Sequence, residues 1–321
     1  MYTIAESLLA GHQMLTLTHI PSGNYASIIV GYGGAINSFV VNGKHILTSA
    51  SNADEFEKIT KNSFAGAQLF PFVNRVKNAT FTIDGQAYSL PMNDGGGLPH
   101  CLHGLVYNQT FTIVERNEQE GILKLEYHFA KKIGSFPFEY LLEVTYTLDE
   151  HSLQVDTVIT NLGGTIAPIG YGWHPYIAVD GKIDDCKLQL PATKYYTTDE
   201  QLIPTGETNT LFDFVEPSPI GHLELNQCFE MRTTGTEHST MLEDGDGTCI
   251  QLIQNGFAYT QYYIPPDRKS IAIEPQTSIP DALNNGIGLL QMQPNQAMEF
   301  SFKIIVSRSH KGTKAQRGTK V

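Results

Sequence analysis

The stretch YLLEVTYTL at Tyr140–Leu148 decides the fold class of this chain. Its large apolar residues fall at every second position, with Glu143, Thr145 and Thr147 between them. Successive side chains of a β-strand point to opposite faces of the sheet, so the pattern predicts a strand with one buried and one solvated face. Residues 123–129, LKLEYHF, alternate in the same way and predict a second strand of this kind.

Further strand signals are spread along the whole chain. Apolar runs rich in β-branched or aromatic residues lie at 27–31, 35–41, 153–160, 249–254, 270–274 and 299–306. Asp84-Gly85, at the centre of residues 80–90, predicts a β-hairpin because a type I′ turn requires positive φ. Only residues 50–61 and 279–285 favour a turn or two of helix. Strands separated by turns, with few short helices, predict an all-β fold, a large antiparallel β-sandwich.

Length and composition fit one large domain. The 321 residues, 41% of them hydrophobic, can bury a substantial core, and large all-β folds of this length often form one domain. We therefore expect a single domain over residues 1–306. Residues 307–321 are polar and basic without periodicity, so we expect a flexible tail. A nucleic-acid-binding arm is the less favoured interpretation of that tail.

Charge and cysteine usage restrict the partners. A formal net charge of −12 disfavours nucleic acid and anionic membranes, which reward clustered lysine and arginine, and a small neutral ligand is easier to accommodate. The N-terminus lacks the features of a signal peptide, and no segment is long enough to span a bilayer, so we expect a cytoplasmic protein. The cysteines, which we expect to be reduced, are Cys101, Cys186, Cys228 and Cys249.

The first candidate site is the run GYGWHPY at residues 170–176. It sets His174 beside Trp173, the only tryptophan of the chain, between glycines and a proline that fixes the backbone. A rigid histidine beside a flat aromatic ring suggests a site that holds a sugar ring and moves a proton.

Two apolar runs each contain one charged residue. Arg75 lies within PFVNRV at residues 71–76, where it suits sugar hydroxyls or a carboxylate, although a structural arginine that caps backbone carbonyls is equally consistent with this stretch. Glu274 ends the run IAIE at residues 271–274. A buried glutamate is either paired or has a raised pKa in the range useful to a base, whereas a strand-end glutamate reaching water is the simpler interpretation of this stretch alone.

Two glycine-containing stretches are weaker candidates. Residues 93–104 carry three glycines and then His100, Cys101 and His103, but no helix follows to bind phosphate, and no further metal ligand stands at a recognisable spacing. The run DGDG at residues 244–247 is a fragment of a calcium loop without its bidentate glutamate, so a surface hairpin turn is expected there.

Four motifs in order resemble the aldose 1-epimerase (galactose mutarotase) family. They are NR at residues 74–75, LHG at 102–104, GWHPY at 172–176, and EPQ at 274–276 with PDA at 280–282. The resemblance extends from about residue 33 to residue 306. It implies a large twisted antiparallel β-sandwich, called a supersandwich, and an isomerase that interconverts the α and β anomers of a free aldose. It implies neither a cofactor nor a metal.

The resemblance also implies roles for single residues. His174 matches the general acid that protonates the ring oxygen O5, and Glu274 matches the general base that takes the proton of the C1 hydroxyl. His103 matches a second histidine near the ring oxygen. The residues that match or support sugar binding are Arg75 with its neighbour Asn74, Gln261, and Trp173 or nearby tyrosines stacked on the sugar, although a tryptophan of this kind more commonly lies in the core.

One position departs from the family pattern. Where the family has an aspartate that binds sugar hydroxyls, this chain has Asn226, within LNQCF at residues 225–229. A neutral acceptor forms weaker hydrogen bonds than a charged one, so we expect altered sugar preference or weaker binding rather than lost chemistry.

Three other functions fit the sequence less well. A hexose-6-phosphate epimerase would add basic residues, and only Lys77 stands beside Arg75. A non-catalytic sugar-binding protein would be expected to lose His174 or Glu274. A glycoside hydrolase needs two opposed carboxyl groups, and only Glu274 lies in a motif, with Asp281 as a possible second group placed in what the resemblance implies is a turn. The expected partner is therefore a small sugar, bound by a monomer or homodimer.

Overall fold

The computed structural model describes residues 1–95, 97–131, 135–231 and 237–308. Most of the expected tail, from residue 309 onward, lies outside this range. In chain order the strands are β1 (Tyr2–Leu9), β2 (His12–His19), β3 (Tyr25–Ile29), β4 (Ala35–Val41), β5 (Lys44–His45), β6 (Gln68–Leu69), β7 (Arg75–Val76), β8 (Thr80–Ile83), β9 (Gln86–Ser89), β10 (Cys101–Leu102), β11 (Thr112–Asn117), β12 (Ile122–Phe129), β13 (Tyr140–Leu148), β14 (Ser152–Asn161), β15 (Ala167–Ile169), β16 (Gly172–Trp173), β17 (Tyr176–Ala178), β18 (Lys187–Gln189), β19 (Lys194–Thr198), β20 (Pro204–Thr210), β21 (Ser218–Pro219), β22 (Asn226–Glu230), β23 (Glu237–Glu243), β24 (Thr248–Asn255), β25 (Tyr259–Tyr263), β26 (Ser270–Gln276), β27 (Leu290–Met292) and β28 (Ala297–Arg308).

Helical segments within the described residues are short. Helix α1 (Ala53–Glu55) continues as a π-helical turn at Phe56–Lys61, and α2 (Ala282–Asn285) follows β26. Single 3₁₀ turns lie at Lys77–Ala79 and Ile183–Asp185. The helices expected at 50–61 and 279–285 are therefore confirmed, and no described helix combines the length and apolar character that crossing a membrane requires.

Antiparallel pairing builds three large sheets. One has five strands in the order β1-β2-β3-β4-β5, and the second has nine in the order β11-β12-β13-β14-β28-β24-β23-β18-β21. The third has eight, in the order β20-β19-β22-β25-β26-β16-β6 with β17 also paired to β26. Residues of all three sheets contribute to one large buried cluster, so the predicted antiparallel β-sandwich is confirmed.

Burial follows the predicted alternation. Every second residue of β13 is buried, as the pattern of Tyr140–Leu148 predicts. The hairpin expected at Asp84-Gly85 joins β8 to β9, with φ of 50° and 77° at its two central residues. The DGDG run forms the expected turn between β23 and β24, although Asp244 itself is buried.

Strand β26 differs from β13 because all seven of its residues are buried. It pairs with β25 on one side and with β16 and β17 on the other. A strand covered on both faces and both edges is held rigidly, and Glu274 lies on it.

Candidate functional site

Glu274 is the centre of the candidate site. Its side chain is almost completely buried, and its register partner across the β25–β26 pairing is Gln261. Directly paired residues of neighbouring strands point to the same face, so both side chains project together. Gln276, two residues further along β26, donates from Nε2 to the Glu274 Oε2 atom at 2.9 Å. The carboxylate is thus fixed by its own strand.

His174 lies directly after β16, beside Glu274. Its backbone N–H donates to the carbonyl of Ala67 at 3.0 Å, and its carbonyl accepts from the N–H of Gly66 at 2.8 Å. These bonds fix the backbone and bring Nε2 of His174 to 3.4 Å from Oε1 of Glu274. Gly172 permits the approach of β16 to β26, because a Cβ atom there would lie 2.7 Å from the carbonyl oxygen of Pro275.

His103 completes a triangle with these two residues. It has a positive φ of 62°, and its N–H donates to the carbonyl of Asn74 at 2.9 Å. Its ring meets that of His174 edge to face, with centroids 4.7 Å apart. The next residue must be glycine, because a Cβ atom on Gly104 would lie 2.3 Å from the carbonyl oxygen of Phe70. The LHG motif therefore serves to turn His103 inward.

Arg75 lies on β7, opposite Leu102 of β10. Its Nε donates to Oδ2 of Asp94 at 2.7 Å, and its Nη1 donates to Oδ1 of Asn74 at 3.3 Å. Both carboxylate and arginine are largely buried, with side-chain exposures of 2% and 15%. Arg75 is thus an oriented cation with a carboxylate partner, and Asp94 is a site residue that the sequence did not single out.

The opposite wall belongs to β22 and β25. Gln261 donates from Nε2 to Oδ1 of Asn226 at 3.0 Å, which orients the amide of Asn226. Together these residues enclose a cavity of about 310 Å³, near the lower end of volumes usual for small-molecule sites. The cavity is also lined by Phe64, Tyr176, Tyr263 and Leu202.

The expectation that Trp173 contacts the ligand is wrong. Trp173 is completely buried, its ring stacks on Phe302 of the nine-stranded sheet at 4.0 Å, and its Nε1 donates to the carbonyl of Gly66 at 3.0 Å. Adjacent residues of an extended chain face opposite ways, so the backbone that turns His174 into the cavity turns Trp173 into the core. The tyrosines Tyr176 and Tyr263 supply the aromatic surface instead.

The weaker candidates do not join the site. His100 is buried, and its Nδ1 accepts from the N–H of Asn78 at 3.1 Å. Asp281 accepts from the N–H of Lys77 at 2.8 Å and does not line the cavity. The other residues proposed from sequence do line it: Asn74, Arg75, His103, His174, Asn226, Gln261 and Glu274.

Burial controls the protonation of the central groups. It raises the pKa of Glu274 to about 8, opposed by the Gln276 hydrogen bond and by Arg75. Burial lowers the pKa of His174 to about 3. Desolvation, with smaller contributions from His174 and Arg75, holds the pKa of His103 well below its usual range. His174 and Glu274 lie 3.4 Å apart and therefore titrate as a pair, and these two shifts favour Glu274 as the holder of the one proton at neutral pH.

Such a pair can exchange a proton with a ligand at two points. One group accepts a proton while the other donates one, and the net charge of the site is unchanged. His103, His174 and Glu274 also each offer one ligand atom that could hold a metal ion.

Comparison with known proteins gives the family. The model of the family described as aldose 1-epimerase matches residues 14–304. This chain belongs to the aldose 1-epimerase family. The uncharacterised protein YihR of Escherichia coli K12 is 26% identical over 90% of this chain and 92% of its own length. Galactose mutarotase of Sus scrofa is 31% identical, but the match covers 58% of this chain and only 54% of that enzyme.

Two solved structures share the fold. A galactose mutarotase-like protein from Clostridium acetobutylicum superposes with a TM-score of 0.82 at 19% identity, covering 96% of this chain and 99% of the other. Galactose 1-epimerase from Lactobacillus acidophilus gives 0.79 at 15% identity, covering 97% and 99%. Membership places the chain among epimerases of aldoses, and its supersandwich fold is that of galactose mutarotase-like proteins.

Proposed function

We propose that this epimerase interconverts the α and β anomers of a free aldose, such as glucose or galactose, without a cofactor. The observation that carries the proposal is the nearly fully buried pair of His174 Nε2 and Glu274 Oε1, 3.4 Å apart at a cavity of about 310 Å³. A hemiacetal opens when one proton leaves O1 and another reaches O5. The pair provides an acceptor and a donor for these two transfers.

In the forward step, the carboxylate of Glu274 takes the proton of the C1 hydroxyl while the imidazolium of His174 gives one to O5. The C1–O5 bond breaks and the open aldehyde forms. After rotation about C1–C2, the opposite transfers close the ring on the other face and restore both groups. Because burial favours the proton on Glu274, sugar binding must favour the form in which His174 holds it.

The surrounding residues orient the sugar. His103, edge-on to His174, is placed to hydrogen-bond near the ring oxygen. Arg75 and Asn74 on one side, and Gln261 with Asn226 on the other, offer donors and acceptors to ring hydroxyls. Phe64, Tyr176 and Tyr263 offer apolar surface to the C–H face of a pyranose.

Charge argues against a phosphorylated sugar. Among the described residues that line the cavity, Arg75 is the one permanent cation, and Asp94 already neutralises it. A binding protein without activity is also less consistent, because nothing in such a role requires a desolvated acid beside a histidine.

A panel of fresh aldoses and their 6-phosphates, followed by polarimetry or NMR, tests the proposal. We expect acceleration over buffer with at least one free aldose. Glu274→Gln and His174→Asn should each lower the rate by about 10² to 10⁴. Glu243→Gln, at a strand glutamate that does not line the cavity, should not change it. No acceleration with any sugar, or full activity in Glu274→Gln, would refute the proposed function.

A further inference from the structure

The three central residues of the site also have the chemistry of a metal site. One ligand atom from each of His103, His174 and Glu274 lies within 4.8 Å of the other two, and all three side chains are buried. Two imidazoles and one carboxylate form the ligand set of several catalytic zinc sites, in which a fourth position stays open to water or substrate. All three residues line the cavity, from which water or a ligand can supply the fourth donor.

The distances suit a tetrahedral ion. With metal–ligand bonds of about 2.0 to 2.1 Å, neighbouring ligand atoms of a tetrahedral zinc site lie about 3.3 Å apart. The separation of 3.4 Å between His174 Nε2 and Glu274 Oε1 already has this value. The remaining separations, at most 4.8 Å, require the His103 ligand atom to move inward by at most about 1.6 Å.

We propose that His103, His174 and Glu274 form a reversible binding site for zinc or a similar late transition-metal ion, and that the bound ion excludes the sugar. The ion would occupy the space between acid and base, where O1 and O5 of an aldose must lie. Its effect is therefore inhibition that is competitive with sugar. The exclusion of sugar rests on the proposed function, whereas metal binding itself does not.

The surroundings favour an exchangeable ion over a resident one. Ligating histidines of resident sites usually donate their second ring N–H to a carboxylate or carbonyl, which fixes the ring. Within the described part of the chain, the buried Nδ1 atoms of His103 and His174 have no hydrogen-bond partner. The cation Arg75 lies near, although Asp94 balances its charge. The ligand set is therefore present without the supporting bonds of a permanent site.

A second acidic location does not compete for the ion. A larger cavity of about 670 Å³ is lined by Lys44, Asp180 and Asp246. The ammonium of Lys44 contacts the carboxylates of Asp180 at 3.2 Å, Asp244 at 2.6 Å and Asp246 at 3.1 Å. It already occupies the position that a cation would take.

The test measures binding without turnover. Equilibrium dialysis of the full chain with zinc chloride should give one ion per chain, and cobalt(II) should give the visible absorption bands of a tetrahedral site. His103→Asn and Glu274→Gln should each weaken zinc binding by at least about tenfold, the lower end of the loss seen when only supporting residues are changed. His151→Gln, at the larger cavity, is the matched control and should bind as the parent does. Circular dichroism verifies that each variant is folded.

Zinc binding that survives both substitutions would refute the site, as would binding lost in His151→Gln. Adding an aldose that the enzyme turns over should raise the apparent zinc Kd in proportion to sugar concentration, and an unchanged Kd would refute the exclusion of sugar. If zinc binds as expected but no sugar is turned over, only the proposed function fails. If sugars are turned over but zinc does not bind, only this inference fails.

Discussion

Replacing Glu274 by glutamine should stabilise the fold, and the gain should depend on pH. Burial raises the pKa of Glu274 from 4.5 to about 8 in the folded chain. The folded state thus holds this proton more tightly than the unfolded state. Below pH 4.5 both states are protonated and the wild type loses no stability from this group. As pH rises from there towards 8, the unfolded state ionises first and stability falls.

The size of the effect follows from the shift. Each pKa unit corresponds to about 1.36 kcal/mol. At pH 7 the raised pKa of Glu274 therefore lowers the free energy of unfolding by on the order of 3 kcal/mol relative to low pH, where both states are protonated. At pH 5 the corresponding loss is under about 1 kcal/mol. Glutamine has the shape of glutamate and no proton to lose. It can still accept the hydrogen bond that Gln276 donates.

Urea unfolding of wild type and Glu274→Gln at pH 5, 7 and 8.5 measures this difference. We expect the variant to gain little at pH 5, on the order of 3 kcal/mol at pH 7, and more at pH 8.5. Glu243→Gln is the control, because Glu243 is a partly exposed strand residue paired with Lys187, and it should show no gain that grows with pH. A Glu274→Gln protein that is less stable at pH 7, or whose gain is the same at every pH, would refute the raised pKa and with it the one-proton description of the pair.

Three further predictions concern catalysis. The pair of His174 and Glu274 holds one proton between pKa values of about 3 and about 8, so kcat/KM should be level from pH 5 to 7 and fall about tenfold per pH unit above 8. Polarimetry corrected for buffer catalysis measures this profile, and a rate that rose through pH 9 would contradict it. Asp94→Asn removes the charged partner that orients Arg75, so KM should rise about tenfold while kcat changes by less than about threefold, and an unchanged KM would contradict that role. Asn226→Asp replaces a neutral acceptor by a charged one and should lower KM about fivefold for the preferred sugar. An equal change in KM for every aldose would show that this position does not set sugar preference.

The strands could be predicted because one-sided burial leaves a period of two in the sequence. Residues 140–148 form β13 with the boundaries that the alternation predicts. The same rule could have placed the aromatic surface correctly. His174 faces the cavity, so its neighbour Trp173 faces away, and Tyr176, two residues on, returns to the cavity. The sequence left Trp173 and the nearby tyrosines as alternatives, and this alternation favours Tyr176.

The pairings that assemble the site could not be predicted from local patterns. Gln261 and Glu274 meet because β25 and β26 pair in one register, and a shift of one residue would turn either side chain to the other face. Asp94 lies 19 residues after Arg75, beyond the β8–β9 hairpin and in a loop without a pattern of its own. Its only local signal is an acidic residue directly before a run of glycines. The resemblance to the family supplied the roles of the other site residues.

The central position of β26 has a consequence for how this enzyme can change over evolutionary time. Glu274 lies on a strand hydrogen-bonded along both edges, whose amide protons should be among the slowest in the chain to exchange with solvent. Asn226 and Leu202 form the opposite wall from the exposed start of β22 and from a turn before β20. Substitutions there disturb little packing, so under the proposed function sugar preference can change while the pair of His174 and Glu274 stays in place.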